Sequence, residues 1–325
     1  MRVFKMKKSK ISVALCTFNG EKYIKEQLES IIGQTKRPDE IIIVDDGSTD
    51  KTVEICNRIL RQFLGEWTVY VNDVNLGYKR NFLKAMKKTS GDVVFLSDQD
   101  DVWLKGKIEI MMRQFEDDTV LLAFHDVVVT NERLVVIEES FWKTQGFFPN
   151  NIQNINDKLL QYDYIQGASC AIRRNLIEKI TEIPVQSIHD EWLGMIAAAY
   201  NGIAIVPEKL SLYRQGEHNV IGVKNVRTFY TINKYISHIS KACNDRYEYL
   251  KRRRKVLEKF IDGKYSDEGF CVSPRMAMEI YSQRIRNIQK KKLLSNYKVF
   301  CAYSHFFARP IREFLADVVC MMFIK

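Results

Sequence analysis

The sequence has no G-x-G-x-x-G after any strand-like run and no G-x-x-x-x-G-K-[ST] anywhere. It therefore lacks both the dinucleotide fingerprint and the P-loop, two glycine devices that seat phosphates at a helix N-terminus. It also lacks any C-x-x-C pair. Its seven cysteines (Cys16, Cys56, Cys170, Cys243, Cys271, Cys301 and Cys320) are odd in number and scattered, which excludes a disulfide framework and a zinc module and makes a reducing cytoplasm the expected compartment. No apolar run reaches the ~20 residues that span a bilayer: 193–206 is broken by Tyr200 and Asn201, and 314–324 by Asp317. The basic start MRVFKMKKSK runs into a strand-like segment without the apolar stretch and small-residue cleavage site of a signal peptide.

What is present fits a globular chain of one large or two small domains: 325 residues, 46% hydrophobic, 11% aromatic and 28% charged. The formal charge of +10 is unevenly placed. Residues 224–325 hold 22 basic and 9 acidic side chains, leaving 28 and 31 for residues 1–223. The excess points to an anionic partner and sits entirely in the last third.

Apolar, β-branched runs followed by turn residues and then by helically spaced apolar residues recur along the first hundred positions. Strands are expected at 11–16, 40–44, 67–72 and 92–96, with helices over 23–32, 52–63 and 79–88 between them. That alternation predicts an α/β fold with a parallel sheet, right-handed crossovers and flanking helices. A helix at 105–116 and a strand at 121–129 follow, then an irregular stretch over 131–161. Further ordered segments are expected at 164–173, 175–180, 190–200, 203–206 and 209–214. From residue 226 helical spacing dominates, so the expected division is 1–223 and a basic α-helical extension at 224–325.

Ligands of such sheets bind beyond the carboxyl ends of the strands, where 17–19, 45–50, 72–77 and 98–101 gather polar residues. Ser97-Asp98-Gln99-Asp100-Asp101 follows Val93-Val94-Phe95-Leu96. Acidic residues there can cap the next helix, and a D-x-D also suits a hard divalent cation neutralising a diphosphate. The residues alone leave both readings open. Asp45-Asp46-Gly47-Ser48-Thr49-Asp50 reads likewise as a turn with Ser48 or Asp50 capping a helix. His189-Asp190-Glu191-Trp192 opens a helix at which Asp190 is a natural cap.

Taken together, Ile11-Ser12-Val13 through Thr17-Phe18-Asn19-Gly20, Ile43 through Asp50, Asn75-Leu76-Gly77 with Arg80-Asn81, and Asp98-Gln99-Asp100 resemble the family 2 inverting glycosyltransferases of the GT-A fold over residues 10–222. Ser97 through Trp103, Gly167 through Ala171, His189-Asp190 with Trp192, and Tyr213-Arg214-Gln215 with Asn219 and Gly222 resemble the bacterial rhamnosyltransferase branch. The resemblance implies a mostly parallel GT-A sheet flanked by helices. It implies that Thr17, Phe18, Asn19 and Asp46 line the nucleoside pocket, with Asp46 accepting from a pyrimidine ring. Asn75, Gly77 and Arg80 would lie near the nucleotide, although Arg80 also reads as a solvated helix cation. Asp98, with Gln99 beside it, would face the ribose, and Asp100 would hold Mg2+ or Mn2+ against the diphosphate. Asp190 would be the general base, with Trp103, Gln166, Gly167, Glu191 and Trp192 toward the acceptor.

Two positions depart from the branch. Glu191 stands where a second tryptophan is usual, which adds a rival carboxylate. Gly216 stands where a histidine is usual, with His218 two residues on as a candidate metal or diphosphate contact or a surface loop histidine. The implied reaction is sugar transfer from a nucleoside-diphosphate donor, dTDP-L-rhamnose being favoured and UDP-hexose or UDP-N-acetylhexosamine remaining open. The implied acceptor is a hydroxyl of a glycan carried on a polyprenyl diphosphate, in bacterial cell-surface polysaccharide synthesis. Such an enzyme is expected in the cytoplasm, peripheral to the inner leaflet, with 251–255, 290–292 and 310–324 as candidate lipid contacts. Nucleic-acid binding by the basic extension is the alternative of another class. It lacks a base-reading module, and no nucleic acid is expected.

Overall fold

The computed structural model describes residues 9–151, 154–216, 232–304, 306–307 and 310–324. The first 97 residues form β1 (Ile11–Thr17), α1 (Ile24–Ile32), β2 (Glu40–Asp45), α2 (Thr52–Leu60), β3 (Glu66–Val71), α3 (Tyr78–Lys88) and β4 (Val93–Ser97). Every residue of β1, β2 and β4 is buried, because the sheet is covered on both faces. The two-residue period of a strand sorts their side chains into two layers. Val13, Leu15, Ile41, Ile43 and Phe95 meet Ile24 and Leu28 of α1 and Leu60 of α2. Ala14, Ile42, Val44, Val94 and Leu96 join the cluster containing Phe82 and Met86 of α3.

These strands lie in the order β3-β2-β1-β4, all parallel as expected. Their register sets Thr17 opposite Asp45, Asp45 opposite Val71 and Leu15 opposite Ser97. The four following loops therefore share one edge of the sheet.

The chain continues with β5 (Val102–Trp103), α4 (Lys107–Gln114), β6 (Leu122–Thr130), β7 (Val136–Glu138), α5 (Phe141–Gln145), α6 (Ile155–Leu159), β8 (Cys170–Arg173), α7 (Arg174–Glu178), α8 (His189–Ala199) and β9 (Ile203–Arg214). Here the simple alternation ends. β8 enters antiparallel between β4 and β6, β9 runs parallel to β6, and β5 pairs antiparallel with β9. The ordered segment expected over 164–173 contains a 3-10 turn at 167–169 and then β8. The ordered segments expected at 203–206 and 209–214 form one strand, β9, with a register shift against β6 around Pro207, whose missing amide cannot join the ladder.

α9 (Ile232–Asp262), α10 (Pro274–Gln289), α11 (Leu293–Ala302) and α12 (Pro310–Phe323) form the helical C-terminal region. Leu250, Leu257 and Phe260 of α9, Tyr281 of α10, Phe300 of α11 and Met321 of α12 extend the same apolar cluster that holds Phe82 and Trp192. A buried polar network sits among them. Asp317 accepts from Arg284 at 2.9 Å, Arg246 at 2.7 Å and Asn296 at 3.3 Å. Glu313 accepts from Arg246 at 2.8 Å, Arg284 at 3.1 Å and the Tyr162 hydroxyl at 2.6 Å. Burial alone would raise both carboxyl pKa values, but the two guanidiniums more than offset it and hold both below the usual range.

Candidate active site

The loops beyond β1, β2 and β4 lock together through their own polar groups. Asp45 accepts from the Thr17 hydroxyl at 2.6 Å, the Ser48 hydroxyl at 2.6 Å and the Ser48 amide at 2.7 Å. Asn19 adopts a left-handed φ of 48°, which asparagine tolerates. In that conformation its amide donates to Ser48 Oγ and its side chain accepts from the Thr49 amide. Gln99 clamps the acidic loop to the first one: its Oε1 accepts from the Phe18 amide at 2.8 Å and its Nε2 donates to the Phe18 carbonyl at 3.1 Å. Gly20 leaves room for this clamp, since a Cβ there would stand 2.2 Å from Gln99 Oε1.

Asp46 orders the third loop. Its carboxylate accepts from Asn72 Nδ2 and the Leu76 amide at 2.7 Å each, and from the Gly77 amide at 2.9 Å. A carboxylate offers about four acceptor positions, so room for one further donor remains. Asn72 also donates to Asn81 and accepts from Lys84, which anchors the loop to α3. Beside it opens a cleft of about 670 Å3 lined by Gly77, Tyr78, Arg80, Leu83, Pro184 and Val185, among others.

The carboxylates of the fourth loop repel one another. Burial and then the charges of Asp100 and Asp190 push the Asp98 pKa up to about 7, against the pull of Lys107. Burial raises Asp100 as well, opposed by its own backbone and by Arg214. Asp101 is driven well above the carboxylate range by burial and by both neighbours. Its Oδ1 accepts from the Arg214 amide at 3.1 Å, while Oδ2 has no partner among the described residues. Beneath lies Lys107, fully buried, donating to the Ala168 carbonyl at 2.7 Å and lying 3.9 Å from the centre of the Trp103 ring.

This donor set, hard oxygens with unbalanced negative charge, fits a divalent cation. Among the described residues no three His, Cys, Asp or Glu side chains converge on one point. From the described residues one or two carboxylates would join the shell, with diphosphate oxygens and water as further ligands. His218 lies outside the described residues, as do Asn219 and Gly222.

Asp190 occupies the first turn of α8, buried, its Oδ1 accepting from the Glu191 amide at 2.9 Å. Burial raises its pKa, and His189 and that amide only partly reverse the shift. His189 stacks on Phe82 with ring centroids 4.2 Å apart and 12° between planes, and neither ring nitrogen has a hydrogen-bond partner among the described residues. Gly167 faces both residues: a Cβ there would fall 2.4 Å from His189 Nε2 and 3.5 Å from Asp190 Oδ2. Gly167→Ala is therefore expected to displace the stacked imidazole and Asp190 with it. Overpacking of this kind costs about 1–3 kcal/mol, and turnover should fall more than donor affinity. Unchanged melting and kinetics in the variant would show that the site yields freely there.

A family model described as Glycosyl transferase family 2 matches residues 12–181, just over half of the chain. The chain belongs to glycosyl transferase family 2. A dTDP-rhamnosyl transferase of Shigella flexneri, RfbG, is 27% identical over 230 residues, covering 64% of this chain and 73% of that protein. The uncharacterized protein Mb1547 of Mycobacterium bovis is 28% identical over 217 residues, 65% of this chain; this chain spans 60% of that relative's length. Among solved structures, the mannosyltransferase PcManGT of Pyrobaculum calidifontis, in complex with GDP-Man and Mn2+, has a TM-score of 0.58 at 18% identity, covering 98% of this chain and 82% of that one. S. aureus TarS 1-349 in complex with UDP-GlcNAc has a TM-score of 0.55 at 17% identity, covering 96% and 89%. These likenesses show the fold, and the GT-A type expected from the sequence is the one present.

Several residues predicted from the family 2 motifs have buried side chains engaged within the fold. Thr17 is buried with its hydroxyl on Asp45. Trp103 is buried against Phe95 and Lys107, and Trp192 is buried between Phe260 and Tyr265. Glu191, the rival carboxylate of the sequence, is held in ion pairs. It accepts from Ser187 at 2.7 Å, from both terminal nitrogens of Arg252 at 2.8 and 3.0 Å, and from Arg253. Burial would raise its pKa, but the two arginines hold it below the usual range. The run 251–255 is split accordingly, with Arg252 and Arg253 turned inward.

Of the other expected residues, Gly77 and Arg80 line the cleft. Phe18 and Arg80 are exposed, and Asn75 bridges the Asp46 carbonyl and the Gly77 amide. Both polar atoms of the Gln166 amide lack a partner beside Gly167. The motifs gave no sign of Asn72, Lys107 or Asp163. The last is raised by burial and by the charges of Asp190 and Glu191, with its Oδ1 unpartnered.

Proposed function

We propose that this chain is an inverting glycosyltransferase that moves a sugar from a nucleoside-diphosphate donor to a hydroxyl of a glycan acceptor. The observation that carries the reading is the meeting, on one sheet edge, of two carboxylate groups suited to different work. Asp98 and Asp100 are crowded and stay raised despite Lys107 and Arg214, and Asp190 is near enough to raise Asp98 further. Asp100, with Asp98 beside it, would hold Mg2+ or Mn2+, which when bound supplies positive charge to a departing diphosphate. Asp46 and the loops tied to it would seat the nucleoside.

Asp190 takes the proton of the acceptor hydroxyl as that oxygen bonds to the anomeric carbon. The bond from that carbon to the diphosphate oxygen breaks, and its electron pair leaves with the nucleoside diphosphate. Attack from the opposite face inverts the anomeric centre. A raised pKa makes Asp190 a stronger base than an ordinary aspartate, and the fixed loops supply positioning.

The Shigella relative and the branch motifs support dTDP-L-rhamnose as donor. The basic charge of residues 224–325 supports a lipid-linked acceptor on a polyprenyl carrier, with the enzyme cytoplasmic and peripheral to the inner membrane face, in cell-surface polysaccharide synthesis. Residues 1–223 would form the transferase unit and 224–325 its basic helical extension.

Thermal-shift measurements against dTDP-L-rhamnose, UDP-glucose and UDP-GlcNAc with Mg2+ or Mn2+ test the donor. A donor at about one hundred times its Kd adds ~2.7 kcal/mol to stability, so melting should rise most with dTDP-L-rhamnose, and chelation should remove the rise. Asp100→Ala should abolish the metal-dependent part of donor binding; undiminished binding by calorimetry would take Asp100 out of the site. No shift with any sugar nucleotide would overturn the reading.

A further inference from the structure

α12 turns its acidic residues inward and part of its apolar surface outward. Its acidic residues Glu313 and Asp317 point inward to Arg246 and Arg284. Ile311, Leu315, Val319 and Met322, spaced along one face, are 75, 55, 38 and 70% exposed. α11 adds Leu293, Leu294 and Tyr297 at 50, 67 and 52%, and the Tyr297 ring meets Phe314 at 5.6 Å, so the two helices adjoin. An amphipathic helix of a soluble domain buries its apolar stripe. A contiguous exposed one marks a surface that meets something else.

The rim of this face is cationic. Lys290, Lys291, Lys292, Lys298 and Arg312 are exposed. The acidic residues between 290 and 324 are Glu313 and Asp317 alone, and both are held inside. A second copy of the chain would suit the apolar stripe, but a two-fold contact sets the same cations face to face.

We propose that the outer face of α11 and α12 docks on an anionic phospholipid surface, the apolar side chains entering the interface and the five cations meeting lipid phosphates. At 14 residues, α12 is about 21 Å long, short of a ~30 Å hydrocarbon core, so it lies in the surface. The Tyr162 hydroxyl bond to Glu313 joins α12 to the segment leading to Gln166 and Gly167, on the Asp190 side of the cleft. The lipid contact adds to the proposed function a place for a lipid-linked acceptor, but vesicle binding itself does not depend on that function.

The test is co-sedimentation of the full chain with vesicles of equal parts phosphatidylcholine and phosphatidylglycerol, and with phosphatidylcholine alone. Binding is expected to the anionic vesicles. An Ile311→Glu/Leu315→Glu variant should bind roughly tenfold or more weakly, and a Lys290→Gln/Lys291→Gln/Lys292→Gln variant should lose the preference for anionic lipid. Both substituted sets are exposed, and circular dichroism checks that the fold is kept. Wild-type chain that ignores anionic vesicles, or equal binding by the Glu variant, overturns the proposal. So does a dimer in light scattering that the same Glu pair dissolves. Donor-induced thermal shift, measured on the same variants, should be unchanged, so a failure of the transferase reading appears there and not in the vesicle assay.

Discussion

Asp190→Asn should lower turnover by about 10²–10⁴-fold, the usual contribution of a positioned general base, while donor binding measured by calorimetry stays near the wild-type value. The amide preserves the acceptor that receives the Glu191 N–H, so α8 keeps its first turn, but it cannot take a proton from the attacking hydroxyl. The wild-type pH profile offers a second reading. The Asp190 pKa is raised by burial, and the base works only when ionised, so the acid limb of kcat/KM should fall above the ~3.9 of a free aspartate. Near-normal turnover in Asp190→Asn with donor correctly bound would remove Asp190 as the base. Glu191→Gln is the informative control: it disturbs the pairing with Arg252 and Arg253 and should act first on stability.

Asp317→Ala should destabilise the fold by about 3–5 kcal/mol, the cost of leaving a buried charge without its partner. Arg284 is 2% exposed and would keep Glu313 as its acidic partner only at one nitrogen. A second change, Arg284→Met, should return part of the loss, because an apolar pair of similar volume is often no worse than a buried ion pair. The pH dependence has a fixed sign. Asp317 has a lowered pKa in the fold, so its contribution is complete above the unfolded value near 4 and disappears as pH falls through the folded one. Urea midpoints should therefore differ widely between wild type and Asp317→Ala at pH 7 and converge toward pH 3. Equal midpoints at pH 7, or a gap that does not change with pH, would show that Asp317 does not anchor these helices.

The first half of the sheet was legible because its signals are local. β1, β2 and β4 are uninterrupted apolar runs, and the loops after them carry Asn19, Asp46 and Asp98 at the strand ends. The second half was not, because antiparallel entry of β8 depends on pairing with Val93–Phe95 and Leu122–Phe124, far away in sequence. The same distance hid the roles of several site residues. Glu191 looks like a second base beside Asp190 until Arg252 and Arg253, some sixty positions later, are folded against it. Lys107 stands outside every motif, yet Ala168, Trp103 and Asp101 surround it. Trp192 belongs to a site motif, and its neighbours Phe260 and Tyr265 come from the helical region that the motif does not cover.

The Glu191 pairing also constrains how this chain can be recombined. A chimera that keeps residues 1–223 and receives a foreign C-terminal region inherits a buried carboxylate one position from Asp190, with both of its guanidinium partners replaced. Such a graft would need an uncharged residue at 191, or arginines carried over at 252 and 253, before its acceptor preference could be compared with that of the parent.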